Sequence, residues 1–214
     1  MVGYIEFKER LQIEGCFSIH QARNYFPAFD RNSLTRWTKK GLLVRLRQGW
    51  YAFPDMIQRS EFSRYVAGKI YNPSYVSLRT ALSIYGMIPD EVTSITSVTT
   101  LKTAHFENDF GQYSYQNVKS ELFFGYKPVM LPPEKSTFNS PSQTWMLALP
   151  EKALLDLLYL YPFYDNEEEL ERLKLDKNFI TKRLDVERLG NYLGQMRNKA
   201  LDSRVRKLLK KYDL

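Results

Sequence analysis

Residues 30–53 read DRNSLTRWTKKGLLVRLRQGWYAF, and this stretch decides what the first part of the chain can build. Leu34 and Trp37 stand three apart on one helical face, while Arg31, Asn32, Ser33, Thr35, Arg36 and Lys39 fall on the others. Residues 31–40 therefore read as a helix that Asp30 can cap and Gly41 ends. Residues 42–47 and 50–53 read as two short strands, joined at Gln48-Gly49 and closed by Pro54. Between Arg31 and Arg47 lie six basic residues and no acidic one, whereas a merely solvated face usually mixes both signs.

Two more helices precede this stretch. Residues 4–12 place Ile5, Phe7 and Leu11 among charged positions and stop before Gly15, and Ser18 can cap a helix over 19–25 that Pro27 ends. The order helix, helix, helix, hairpin is that of a winged helix-turn-helix, which presents its third helix to the major groove and its hairpin to the backbone. On that scaffold Arg31, Asn32 and Arg36 can donate to base edges, with Ser33 and Thr35 beside them. Lys39, Lys40, Arg45 and Arg47, with Gln48 at the turn, suit phosphates, which position a protein without reading sequence. The plainer alternative is a solvated helix beside an edge strand whose charges prevent aggregation.

Residues 55–60 read as a linker, giving a DNA-binding domain over 1–58 and a second domain over 61–214. The second begins with a helix over 61–70 and the break Asn72-Pro73-Ser74. It continues with a short extended start and a helix in 76–85, then strands at 94–99, 108–115, 121–126 and 145–149. Pro150 and Glu151 suit the first turn of a helix reaching Tyr161, whose stripe of Ala153, Leu154, Leu157 and Leu158 makes it central to a core. Helices over 166–175, 186–196 and 202–211 follow, so the expected class is α+β with a helical C-terminal part.

A chain of 214 residues has room for these two domains, and its net charge of +7 favours a polyanionic partner. A second basic stretch, 182–211, holds ten basic residues against three acidic ones, and is open to reading either as a phosphate-contacting surface or as a solvated helix pair. Cys16 is the only cysteine, so neither an intramolecular disulfide nor a cysteine zinc site can form, and a small core residue is expected there. No apolar run approaches the roughly 18 residues of a membrane span, and the charged start does not suit a signal peptide, so a cytoplasmic protein without a membrane partner is expected.

Enzyme chemistry finds little support. The chain has no Gly-rich phosphate loop, dinucleotide fingerprint, His-Glu-x-x-His or Gly-x-Ser-x-Gly. His20 and His105 lack a second ligand at helical spacing. Glu151 fits a helix N-terminus, and Asp156 stands four residues after Lys152, an ion-pair spacing. The expectation is a non-enzyme with no catalytic residue, cofactor or metal. Two other classes stay open: a nuclease-like nucleic-acid-processing component using Glu151 and Asp156, and a protein-interaction module whose winged helix serves partners.

Residues 75–89, YVSLRTALSIYGMIP, resemble a hallmark of the AbiEi-type antitoxins of bacterial type IV toxin-antitoxin systems. Two further blocks are similar to that family: residues 111–115 with Phe124-Gly125-Tyr126, and the helix start LPEKALLD at 149–156. With the N-terminal part, the likeness covers about residues 18–161, and the chain departs from it at 26–30, where a shorter glycine-containing turn is usual. The resemblance implies an autorepressor that binds inverted repeats in duplex DNA at its own promoter. It further implies an antitoxin domain that counters a nucleotidyltransferase-like toxin without an assumed stable complex. The toxin's own Gly-Ser and paired aspartates are absent.

Overall fold

Ser18 starts the second helix as its sequence predicts: its Oγ accepts the Gln21 amide at 3.2 Å, while Gln21 Oε1 accepts the Ser18 amide at 2.9 Å. A cap of this kind stabilises by about 1 kcal/mol. The computed structural model describes residues 2–59, 61–132 and 143–214. Its first elements are α1 (Tyr4–Leu11), β1 (Cys16–Ser18), α2 (Ile19–Tyr25), α3 (Asn32–Lys39), β2 (Val44–Arg47), β3 (Trp50–Ala52) and α4 (Phe62–Ile70).

β1, β3 and β2 form a three-stranded sheet in that order, with Cys16 opposite Ala52 and Val44 opposite Ala52 on the other side. Gly49 turns the β2–β3 hairpin at a φ of 82°, a conformation in which a Cβ is strained. The three helices close over the sheet around Phe7, Leu11, Phe17, Leu34, Leu43 and Phe53. Trp37 lies with its ring 4.8 Å from that of Phe7, so the pair Leu34 and Trp37 is indeed the inward face of α3. Asp30 contributes at the start of α3, where its Oδ1 accepts the Asn32 amide at 2.9 Å.

Two local expectations differ. β1 was not read from the sequence, because three residues become a strand only by pairing with β3, far along the chain. The linker over 55–60 is in part a 3-10 turn, Pro54–Gln58, with Met56 buried; its last residue, Ser60, lies outside the described residues.

Cys16 is fully packed in β1, and burial pushes its thiol up to about 12 from an ordinary 9.0. Because the folded value is raised, the folded state holds the proton where the unfolded chain releases it, so stability falls as pH rises from about 9 towards 12, by up to about 1.4 kcal/mol per pH unit. Cys16→Ala is expected to flatten that alkaline slope in denaturant titrations. A thiol reagent should meanwhile label the parent only as fast as it unfolds; rapid labelling at neutral pH would contradict the placement.

The remaining elements are β4 (Ser74–Val76), α5 (Leu78–Ile84), β5 (Ser94–Thr99), β6 (Ala104–Asn108), β7 (Gly111–Asn117), β8 (Tyr126–Met130), β9 (Thr144–Ala148), α6 (Pro150–Leu160), α7 (Glu167–Arg172), α8 (Lys177–Lys182), α9 (Val186–Met196) and α10 (Lys199–Lys211). A six-stranded mixed sheet runs β6-β7-β5-β4-β9-β8, with β4 antiparallel to β5 and parallel to β9. The class is α+β. The strand expected over 121–126 instead begins at Tyr126, after a 3-10 turn at Ser120–Leu122, and α8 was not anticipated. The chain divides into two units, Met1–Asn72 with Phe106–Gln112 and Val129–Trp145, and Pro73–His105 with Tyr113–Pro128 and Met146–Leu214. Among the described residues no helix is long and apolar enough to cross a membrane.

Within the second unit α6 is the hub, packed by α5, α9 and α10. Its apolar stripe is buried as its spacing predicts, but so are Glu151, Lys152 and Asp156. Lys152 Nζ pairs with Asp156 Oδ1 and donates to the Tyr75 hydroxyl at 2.9 Å. Tyr75 Oη and Ser77 Oγ donate to Asp156 Oδ2 at 2.9 and 2.8 Å. Burial holds the Asp156 carboxyl above the usual carboxylate range, opposed by Lys152 and the two hydroxyls. Gly125 makes room for this network: its φ is 74°, and a Cβ there would stand 2.9 Å from Lys152 Cγ.

Candidate nucleic-acid interface

α3 is eight residues long and sits inward only along Ser33, Leu34 and the half-buried Trp37 and Thr38. Its remaining positions and the residues that flank it, Arg31, Asn32, Thr35, Arg36, Lys39 and Lys40, are exposed. Arg45 joins them as the outward residue of β2, between the buried Val44 and Leu46. Gln48 is exposed at the hairpin turn. The protein thus carries most of the expected set on the surface of one small scaffold.

Three members behave differently from expectation. Ser33 is buried, 2% exposed, with its Oγ accepting from Arg36 Nη2 at 2.8 Å, so it supports Arg36 and does not face solvent. Arg36 also lies 3.9 Å from Asp30 Oδ2, which holds its guanidinium at the N-terminal end of α3. Arg47, expected to face phosphates, donates through Nη1 to the Ile70 carbonyl at 2.7 Å and stacks over Tyr71 and Phe106 at 4.8 and 4.4 Å. The aromatic rings and the carbonyl both favour a guanidinium, which draws it inward. Arg47 therefore anchors the hairpin within its own unit.

Among the described residues Arg31, Lys39, Lys40 and Arg45 form no ion pair with a carboxylate. The second basic stretch is more internally engaged. There Arg204 is buried and donates to the Leu158 carbonyl, Arg206 pairs with Asp202, Lys207 with Asp165, and Arg188 with Asp185 and the buried Glu151.

The carboxylates weighed for chemistry are packed away. Glu151 Oε1 accepts the Asp185 amide at 3.0 Å, tying α6 to the start of α9, and Asp156 is enclosed by the network above. His105 lies exposed on β6, where a loop was expected, and His20 is exposed in the first turn of α2. Among the described residues no group of three or more His, Cys, Asp or Glu is placed to hold a metal ion.

Sequence reasoning missed Arg23. It lies three residues after His20 on α2 and, with Arg31, Gln48 and Trp50, lines a cleft of about 350 Å³ beside the hairpin turn. The i, i+3 spacing was a signal, but the meeting of α2 with the turn is tertiary. Comparison with protein-family models gives no match, and comparison with curated proteins gives none either.

Proposed function

We propose that the protein is a cytoplasmic DNA-binding regulator whose first unit acts as a winged helix-turn-helix, with α3 entering the major groove and the β2–β3 hairpin following the backbone. The observation that carries this reading is the acid-free, exposed run Arg31, Asn32, Thr35, Lys39, Lys40 and Arg45 on a three-helix, three-strand scaffold. The sign and shape both suit a polyanionic duplex, which a lone basic helix would not establish. The likeness of residues 75–89 and 149–156 to AbiEi-type antitoxins extends the proposal: repression at inverted repeats in its own promoter, and antitoxin action against a nucleotidyltransferase-like toxin without a lasting complex. It is supported by the way those two blocks meet in one core, Tyr75 and Ser77 bonding to Asp156.

Asn32 is the best placed base reader, since an amide can bond an adenine edge in two places, worth about 1–3 kcal/mol of discrimination. Asn32→Ala is expected to weaken binding to the chain's own upstream duplex by about tenfold and to relax preference at one base pair. Fluorescence anisotropy on a panel of single-base variants measures this. An equal loss across the panel would remove α3 from the major groove. A nuclease would need Glu151 and Asp156 open to water or metal, and both are buried.

A further inference from the structure

The cleft between α2 and the hairpin turn gathers donors from three separate elements. His20 and Arg23 share a face of α2, Arg31 precedes α3, and Gln48 stands at the turn. The turn is fixed to α2, because the Ile19 amide donates to the Gly49 carbonyl at 2.9 Å, so these donors converge without any chain needing to move. No acid lines the cleft, and among the described residues neither Arg23 nor Arg31 pairs with a carboxylate. Two guanidinium groups that line one cleft with no counter-charge repel each other, and an anion between them relieves that repulsion while taking their forked donors.

Ile19 and Trp50 give the cleft an apolar wall beside these donors. A group with an anionic centre and an apolar flank fits both features. We propose that this cleft seats one phosphodiester of duplex DNA, gripped by Arg23 and Arg31 with Gln48, while the adjoining deoxyribose packs on Ile19 and Trp50. The inference rests on the DNA-binding reading and adds to it a contact from α2 that sets the register of α3 on the duplex. It assigns Arg23 a role that does not depend on base sequence.

Arg23→Gln tests it, since Arg23 is exposed on a helix surface and its replacement should leave thermal unfolding unchanged. Binding is measured by anisotropy across a salt series on two duplexes of equal length, the chain's own upstream sequence and a scrambled one. The slope of log K against log salt should shrink by about 0.9, the contribution of one phosphate contact. Affinity at low salt should fall about tenfold on both duplexes alike. Gln48→Ala should move the affinity in the same direction with less change of slope. An unchanged slope, with the parent still binding in a salt-dependent way, overturns the cleft assignment and leaves the DNA reading intact. A loss confined to the upstream duplex overturns it in favour of base reading. If inorganic phosphate saturates shifts of the His20 ring in NMR spectra while Arg23→Gln leaves duplex binding untouched, the cleft belongs to a free anion. Failure of the parent to bind either duplex sinks both the cleft and the reading beneath it.

Discussion

Lys152→Ala is expected to lower the unfolding free energy by about 3–5 kcal/mol, the range seen when one partner of a buried ion pair is removed. Lys152 and Asp156 are both fully enclosed, so no water replaces the lost ammonium, and Asp156 keeps only the Tyr75 and Ser77 hydroxyls. The Asp156 carboxyl, already raised by burial, then loses its main opposing influence and rises further. A raised folded value means the folded state binds a proton that the unfolded chain releases, so the variant should lose stability as pH climbs from the ordinary carboxylate range towards neutrality. Partial rescue at about pH 5 relative to neutral pH follows, in the same direction as the parent's own dependence but larger. Replacing the group as a whole, Lys152→Met with Asp156→Leu, Tyr75→Phe and Ser77→Ala, should recover much of the loss, because no unpaired polar atom of the four remains. Denaturant unfolding followed by circular dichroism measures all of these. A loss below about 1 kcal/mol for Lys152→Ala would show that the pair is not enclosed as described.

Duplex binding should be strongly salt-dependent. Five exposed cations on the first unit, Arg23, Arg31, Lys39, Lys40 and Arg45, form no ion pair with a carboxylate among the described residues. If each meets a phosphate, the slope of log K against log salt is about −4.5, and raising salt from about 50 to 200 mM weakens binding about 500-fold. Lys39→Gln with Lys40→Gln and Arg45→Gln should flatten that slope by about 2.7, equally for any sequence. Arg47→Gln should instead disturb the hairpin through its bond to Ile70 and its aromatic contacts, appearing in thermal unfolding more than in the salt slope. A parent slope flatter than about −2 would mean that the basic face is solvated and meets no backbone.

The parts of this fold that could be read from sequence are those set by neighbours along the chain. Ser18 with Gln21, Gly41 after α3 and Gly49 in the hairpin each carry a local conformational reason, and the elements stand where those residues put them. The spacing of Lys152 and Asp156 announced an ion pair, but not that it would be enclosed, since burial depends on Tyr75 and Ser77 from far earlier in the chain. The same limit explains the interface. Thr35, Lys39 and Arg45 face outward by period alone, whereas Ser33 is buried beside Leu34, and Arg47 is drawn inward by Tyr71 and Phe106, which no strand spacing relates to it. β1 was missed because only its pairing with β3, far along the chain, makes it a strand.

Tyr75 and Asp156 are 81 positions apart. At about 5–20 residues per second, a ribosome delivers the acceptor roughly 4–16 s after the donor. Through that interval β4 has emerged with its hydroxyls still hydrated, so the second unit cannot consolidate vectorially and must wait for α6. Nascent chains halted before residue 150 should accordingly depend on holding chaperones, whereas the cluster from Phe7 to Phe53 that joins the first helices to the hairpin is complete once residue 53 is out.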